Sequence, residues 1–263
     1  MIYVNEFLSV NNIGVVYQTP HSETIAVKDV SFTAQKGQFV SIVGPSGCGK
    51  STILSCMAGL YSTQRGSILL EGKDINRSRD RIGYMLQSDN LMPWRSIWRN
   101  TVVGLEVKGI KNPENIEYTQ QLLKKYDLWQ FKDVFPAQLS GGMRQRAALI
   151  RTLALKPQLL LLDEAFSALD YQTRVAVSCD VADILRRENK TLVMVTHDIP
   201  EAVSMSDKIV VLSKRPAVVQ KEFMLDFDGQ QNPANRRTHP KFQHYFNLIW
   251  KELTRYETTT FPA

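Results

Sequence analysis

Phe39-Val40-Ser41-Ile42-Val43-Gly44-Pro45-Ser46-Gly47-Cys48-Gly49-Lys50-Ser51-Thr52 is the stretch whose reading decides the fold. A short apolar, β-branched run bounded by glycine predicts a buried strand over 39–43. A helix is predicted to open at Lys50. Between them, glycines at 44, 47 and 49 let successive backbone N–H groups curl toward one point. Such a concave set of donors, at the positive end of a helix, binds phosphate.

The pattern Gly44-x-x-x-x-Gly49-Lys50-Ser51 carries the side chains that a nucleoside triphosphate with Mg²⁺ requires. Lys50 supplies charge to the β- and γ-phosphates, and Ser51 offers a hydroxyl to Mg²⁺. The carboxylates that complete such a site are expected from Leu159-Leu160-Leu161-Leu162-Asp163-Glu164. This apolar strand ends in two acids, and in open α/β sheets ligands sit at that end. Asp163 is expected to hold Mg²⁺ directly or through water, and Glu164 to act as general base on the attacking water.

Working outward, further apolar runs at Leu192–Val195 and Ile209–Leu212 predict more parallel strands. Helices are expected over Lys50–Gly59, Gly141–Leu155 and Tyr171–Arg187. Alternating strands and helices indicate an α/β core with a mainly parallel sheet. Residues 1–38 and 65–84 are rich in Val, Ile, Tyr and Thr with turns between, which predicts an antiparallel β piece. Residues from about 90 to 140 have helical spacing. Gln230–Pro240 is polar and reads as a linker to a last amphipathic helix, Phe242–Leu253.

Composition excludes some roles. The chain has 263 residues, 43% hydrophobic and 22% charged, enough for a full core. The net charge of +6 is spread along the chain, without a run of five basic residues. It fits a nucleic acid, an anionic membrane surface, or no such partner. Cys48, Cys56 and Cys179 have no metal-like spacing and are expected to be reduced thiols. The N-terminus lacks the pattern of a signal peptide, and no stretch of about 18 apolar residues can span a bilayer. Cys48, inside the glycine-rich loop, is expected to be open to alkylation and protected by nucleotide.

A third motif separates families with this phosphate loop. Leu139-Ser140-Gly141-Gly142-Met143-Arg144-Gln145 precedes a helix. Ser140 suits an N-cap, but two glycines just inside a helix cost about 1 kcal/mol each relative to alanine, which suggests close approach of a ligand. The motif resembles the signature of ABC-type ATPases, and the other motifs of that family fall in order around it over about residues 2–225. The resemblance implies an α/β P-loop NTPase core with a mainly parallel sheet, an antiparallel β subdomain and a helical signature subdomain at about 90–155. The domain is expected to cover 1–228, with the linker and C-terminal helix in 229–263.

The resemblance implies roles for individual residues. Tyr17 matches the aromatic residue that stacks on adenine, though it suits a strand core equally. Gly44, Pro45, Ser46, Gly47, Cys48, Gly49, Lys50, Ser51 and Thr52 are the expected ATP cradle. Gln87 matches the glutamine that senses the γ-phosphate, Mg²⁺ and a transmembrane partner, so Ser51, Gln87 and Asp163 form the expected metal set. Ser167-Ala168-Leu169-Asp170 matches the loop that contacts the opposite subunit, and His197 the switch histidine at the γ-phosphate. Glu164, His197, Gln87 and Lys50 are the expected catalytic group. Ser140, Gly141, Gly142 and Asp170 are expected to reach nucleotide across a head-to-tail dimer.

The implied role is the ATP-hydrolysing subunit of a bacterial importer, peripheral on the cytoplasmic face of the membrane. Its expected partners are a permease subunit, a second copy or paralogous ATPase, and an extracytoplasmic solute-binding protein, with no nucleic acid. The alternative is a soluble ATPase of this type acting on nucleic acid or the ribosome, which usually needs two cassettes or a long coiled-coil insertion. Leu91-Met92-Pro93-Trp94-Arg95, Gly104–Gly109, Leu212-Ser213-Lys214-Arg215-Pro216 and the tail from His239 resemble the nitrate, sulfonate and taurine branch. Trp94 and Trp98 fit either a groove for the permease's coupling helix or the core of the helical subdomain. The last helix fits simple packing, or a regulatory or dimer contact.

Overall fold

The computed structural model describes residues 6–19, 22–167 and 169–255. In chain order the strands are β1 (Glu6–Thr19), β2 (Ser22–Gln35), β3 (Phe39–Val43), β4 (Arg65–Leu70), β5 (Lys73–Asp74), β6 (Ile82–Met85), β7 (Leu159–Asp163), β8 (Thr191–Val195), β9 (Lys208–Leu212) and β10 (Ala217–Met224). The helices are α1 (Lys50–Met57), α2 (Ile97–Thr101), α3 (Val103–Val107), α4 (Pro113–Lys125), α5 (Gly141–Leu153), α6 (Tyr171–Arg187), α7 (Ile199–Met205), α8 (Pro233–Thr238) and α9 (Lys241–Thr254).

One sheet runs β5-β4-β1-β2-β10-β9-β3-β8-β7-β6. β9, β3, β8, β7 and β6 are mutually parallel, while β5, β4, β1 and β2 pair antiparallel. Strands β3, β7, β8 and β9 are buried along their whole length, as their apolar runs require. The mixed architecture expected from the sequence is the one observed.

Two local expectations need correction. The 65–84 stretch is not all antiparallel: Ile82–Met85 forms β6 and pairs in parallel with β7, Ile82 opposite Leu159. Its composition resembles the neighbouring hairpin, and only the long-range partner assigns it to the core. The stretch 230–240 is not a plain linker. It holds α8, capped by Asn232, whose side chain accepts from Ala234 N and Asn235 N. Arg236 on α8 is buried and donates to Ser206 O at 2.6 Å and Asp207 Oδ1 at 3.2 Å.

A buried cluster joins Val43, Ile199 and Val211 to Phe227 and to Ile249 of α9. Helix α9 therefore shares a core with the sheet. Residues 1–5 and 256–263, at the ends of the expected domains, lie outside the described residues.

The loop that enters α2 is held from below. Asn100 is fully buried, accepts from Met92 N, and donates to the carbonyls of Met92, Arg95 and Ser96. Trp98 packs edge-to-face on Trp129, with ring centroids 6.2 Å apart. Trp94, carried on the held loop, is 74% exposed. The two tryptophans thus have opposite environments.

Candidate active site

β3 delivers its chain to the phosphate loop, and α1 starts at its end. Gly49 caps α1 with φ 116°, a left-handed conformation that favours glycine. A Cβ there would stand 3.0 Å from the carbonyl oxygen of Ala26. The Lys50 ammonium donates to Gly44 O at 2.8 Å and Pro45 O at 2.9 Å, spanning the loop from inside. The Cys48 thiol is 1% exposed and belongs to the core. Burial pushes it above its ordinary range, against the pull of Lys50. The expectation of ready alkylation therefore fails on access and on thiolate supply.

β7 lies two strands from β3 and brings its carboxyl end to the same edge. Ser51 Oγ donates to Asp163 Oδ1 at 2.9 Å, and Tyr84 donates to Asp163 Oδ2 at 3.2 Å. Burial pushes the Asp163 carboxyl up, partly opposed by these two bonds. Burial, then the Asp163 charge, pushes the Tyr84 phenol up to about 12. Two hard oxygens one hydrogen bond apart, beside a phosphate cradle, suit a small divalent cation that takes its other ligands from phosphate and water.

Glu164 follows with φ 45°, unusual for a residue with a side chain, and donates its N–H to Val195 O. Its Oε2 lies 3.2 Å from His197 Nδ1 and 3.4 Å from Gln87 Nε2. Gln87 also donates to Ser167 Oγ at 3.3 Å. Its amide nitrogen thus faces Glu164 and Ser167, not Ser51 or Asp163.

A cavity of about 410 Å³ is walled by Tyr17, Ser46, Lys50, Thr52, Gln87 and Glu164, among others. Tyr17 is half-buried at its rim, with its hydroxyl 3.0 Å from Thr52 Oγ1 and its ring edge-on to Tyr61. Arg215 is also part of the wall. Ser140, Gly141, Gly142 and Asp170 are not.

Ser140 caps α5, accepting from Met143 N at 3.3 Å. A Cβ on Gly142 would meet Val177 Cγ2 of α6 at 2.8 Å, and one on Gly141 would meet Leu169 Cδ2 at 3.0 Å. Tight packing against α6 and Leu169 is thus one physical reason for these glycines, beside the close approach of a ligand that their sequence context suggested. Asp170 caps α6, accepting from Thr173 N at 3.0 Å, and this bond holds its carboxyl below its usual range. Ala168 lies outside the described residues.

Sequence patterns did not single out the connections between these parts. Arg174 Nη1 donates to Asp198 Oδ2 at 3.0 Å, and Nη2 to the carbonyls of Leu169 at 2.9 Å and Ser167 at 3.3 Å. One guanidinium thereby joins the segment after Glu164 to the segment of His197. Asp198 also caps α7 through Glu201 N. Glu201 is 4% exposed, and burial pushes its carboxyl up to about 7. Arg144 Nε pairs with Asp89, and Arg151 donates to the carbonyls of Asp89 and Asn90. The segment after Gln87 is thus tied to α5. The only available signal was arginine itself in the first turns or faces of predicted helices, which carries no partner.

Comparison with known proteins is consistent with this geometry. A family model described as ABC transporter matches residues 27–167. An uncharacterized ABC transporter ATP-binding protein of Bacillus subtilis, YtlC, is 44% identical over 252 residues, covering 95% of this chain and 97% of the relative. The nitrate import ATP-binding protein NrtD of Synechocystis is 33% identical, covering 95% and 96%. The taurine import ATP-binding protein TauB of Escherichia coli is 40% identical, covering 77% and 79%. A solved dimeric ATP-binding cassette, in a post-hydrolysis state bound to ADP and Pi, superposes with a TM-score of 0.71 at 30% identity, covering 83% and 99%. The chain belongs to the ABC transporter family, as an ATP-binding subunit and ATPase.

Proposed function

We propose that this subunit energises import of a small solute of the nitrate, sulfonate or taurine kind, and does so as one half of a composite ATPase. The observation that carries the chemical part is the convergence of Ser51, Asp163, Glu164 and His197 at one sheet edge beside the phosphate loop. The loop N–H groups and Lys50 bind the triphosphate, with Lys50 exchanging the Gly44 and Pro45 carbonyls for phosphate oxygens. Ser51 and Asp163 would hold Mg²⁺, which would supply charge neutralisation to the triphosphate. Glu164 accepts a proton from water as its oxygen bonds to the γ-phosphorus. The bond from that phosphorus to the β–γ bridging oxygen breaks, leaving ADP and phosphate.

Within the same proposal, His197 and Gln87 hold the Glu164 carboxylate and face the γ-phosphate. Tyr17 sits against adenine. Ser140, Gly141, Gly142 and Asp170 close over the nucleotide of a second copy, since they stand outside the cavity of their own chain. Trp94, exposed on a loop fixed by Asn100, is a ready anchor for a permease segment. No helix among the described residues is long and apolar enough to cross a membrane. Attachment at the cytoplasmic face would then come through the permease. The relatives named for nitrate and taurine import support the solute class, and an extracytoplasmic solute-binding protein completes the proposed system.

Purification of the tagged chain from membranes in mild detergent tests the role. An integral permease is expected to co-purify, and Trp94→Ala to weaken its retention. Recovery of ribosomes or DNA, with no membrane subunit, would overturn the importer reading in favour of the nucleic-acid alternative.

A further inference from the structure

β9 pairs in parallel with β3, Val43 opposite Val211. The chain that follows each strand therefore leaves the sheet at the same edge, the phosphate loop from β3 and Ser213–Pro216 from β9. The approach is close: a Cβ on Gly44 would stand 3.1 Å from Leu212 Cβ. β10 then returns antiparallel to β9 and pairs with β2, Ala217 opposite Val27. The turn is pinned by Ser213, whose Oγ accepts from Val218 N at 3.0 Å and donates toward the carbonyls of Lys214 and Pro216. This register, and not chance exposure, puts Arg215 on the wall of the nucleotide cavity with Ala26, Ser46 and Thr52.

Among the described residues Arg215 has no carboxylate partner. Lys50, the other cation on that wall, is engaged with two backbone carbonyls. The anionic side chain on the same wall, Glu164, is held by His197 and Gln87. Arg215 is therefore an uncommitted guanidinium facing a cavity built for a polyanion, and a planar fork of donors suits phosphate oxygens.

We propose that Arg215 is a phosphate-binding residue, contacting the polyphosphate of the nucleotide held by its own chain. This rests on the ATP-site reading above. Lys214 provides an internal control, since it is exposed and carries the same charge but is absent from the cavity wall. Any effect of net charge alone would be shared by the two residues.

Calorimetric titration with ATP, ADP and adenosine tests it, using the parent, Arg215→Ala, Arg215→Lys and Lys214→Ala. Arg215→Ala is expected to weaken ATP about tenfold, in line with one charge-assisted contact. ADP should be weakened less and adenosine not at all. Arg215→Lys should recover part of the loss, and Lys214→Ala should match the parent. Equal losses in Arg215→Ala and Lys214→Ala, or equal losses for ATP and adenosine, would overturn the assignment while leaving the ATP site standing. A parent that bound no ATP would overturn the ATP-site reading itself, and this inference with it.

Discussion

Two glycine-bearing helix starts, those of α1 and α5, are built differently. The start of α1 is wired to chemistry within its own chain: Lys50 spans the loop, Ser51 meets Asp163, and Glu164 meets His197. The start of α5 is wired to mechanics. Ser140 uses its hydroxyl as a cap, Gly142 admits α6, and Arg144, joined by Arg151 from the last turn of α5, grips the segment after Gln87. The difference teaches that an anion-binding motif is read by what surrounds it. One start faces a cavity lined by Gln87 and Glu164, the groups proposed to act on the γ-phosphate. The other is presented outward and linked to that cavity through the Gln87 segment.

The largest effect is expected at the chemical end. Glu164→Gln should lower turnover about 10²–10⁴-fold, as loss of a general base does, with ATP affinity close to the parent's. Steady-state phosphate release alongside nucleotide titration checks this, and turnover at the parent rate would break the contrast. A smaller effect is expected at the link. Arg174 holds the Asp198 carboxylate and two backbone carbonyls flanking the Glu164–His197 pair. It touches no wall of the cavity, so Arg174→Ala should lower kcat about tenfold with KM unchanged, by loosening catalytic geometry. Arg174→Lys should restore only part. A change confined to KM would place Arg174 in nucleotide binding instead.

The smallest effect on turnover, and the clearest on stability, is expected at Glu201. Its folded pKa of about 7 lies above the ordinary carboxylate value. The native state therefore holds a proton that the unfolded chain releases, and stability falls as pH rises from about 4.5 to 7. Glu201→Gln removes that loss, worth about 3 kcal/mol above pH 7 if no other group compensates. Melting curves from pH 5 to 8 check it: the parent should lose stability relative to the variant as pH rises. Parallel curves would contradict a buried, proton-holding Glu201.

The parts that were legible in the sequence are those written by local pattern. β3, the glycine-rich loop and α1 are contiguous, and β7 with Asp163 and Glu164 is a leucine run ending in acids. Helix α6 is bounded by its own capping Asp170. What was not legible depends on partners distant in the chain. Ile82–Met85 looks like the hairpin beside it until β7 pairs with it. The polar stretch around α8 reads as solvent-facing until Arg236 finds Asp207 and the Ser206 carbonyl. Gly141 and Gly142 suggest a ligand from their sequence, and only the fold shows that Leu169 and Val177 also leave no room for a side chain there. Tyr84 and Arg174 carry no pattern at all, and only folding delivers them to Asp163 and Asp198.

The composite site is tested most directly by mixing two variants. Lys50→Ala damages the chemical start, and Ser140→Arg obstructs the presented one, so each alone should be nearly inactive. In a head-to-tail dimer of one copy of each, one site has an intact Lys50 from one chain and an intact Ser140 from the other. Equal mixing should restore turnover to roughly a quarter of the parent level, because about half the dimers are mixed and each holds one sound site of two. Turnover in the mixture no greater than the sum of the two variants apart would contradict a site shared between copies.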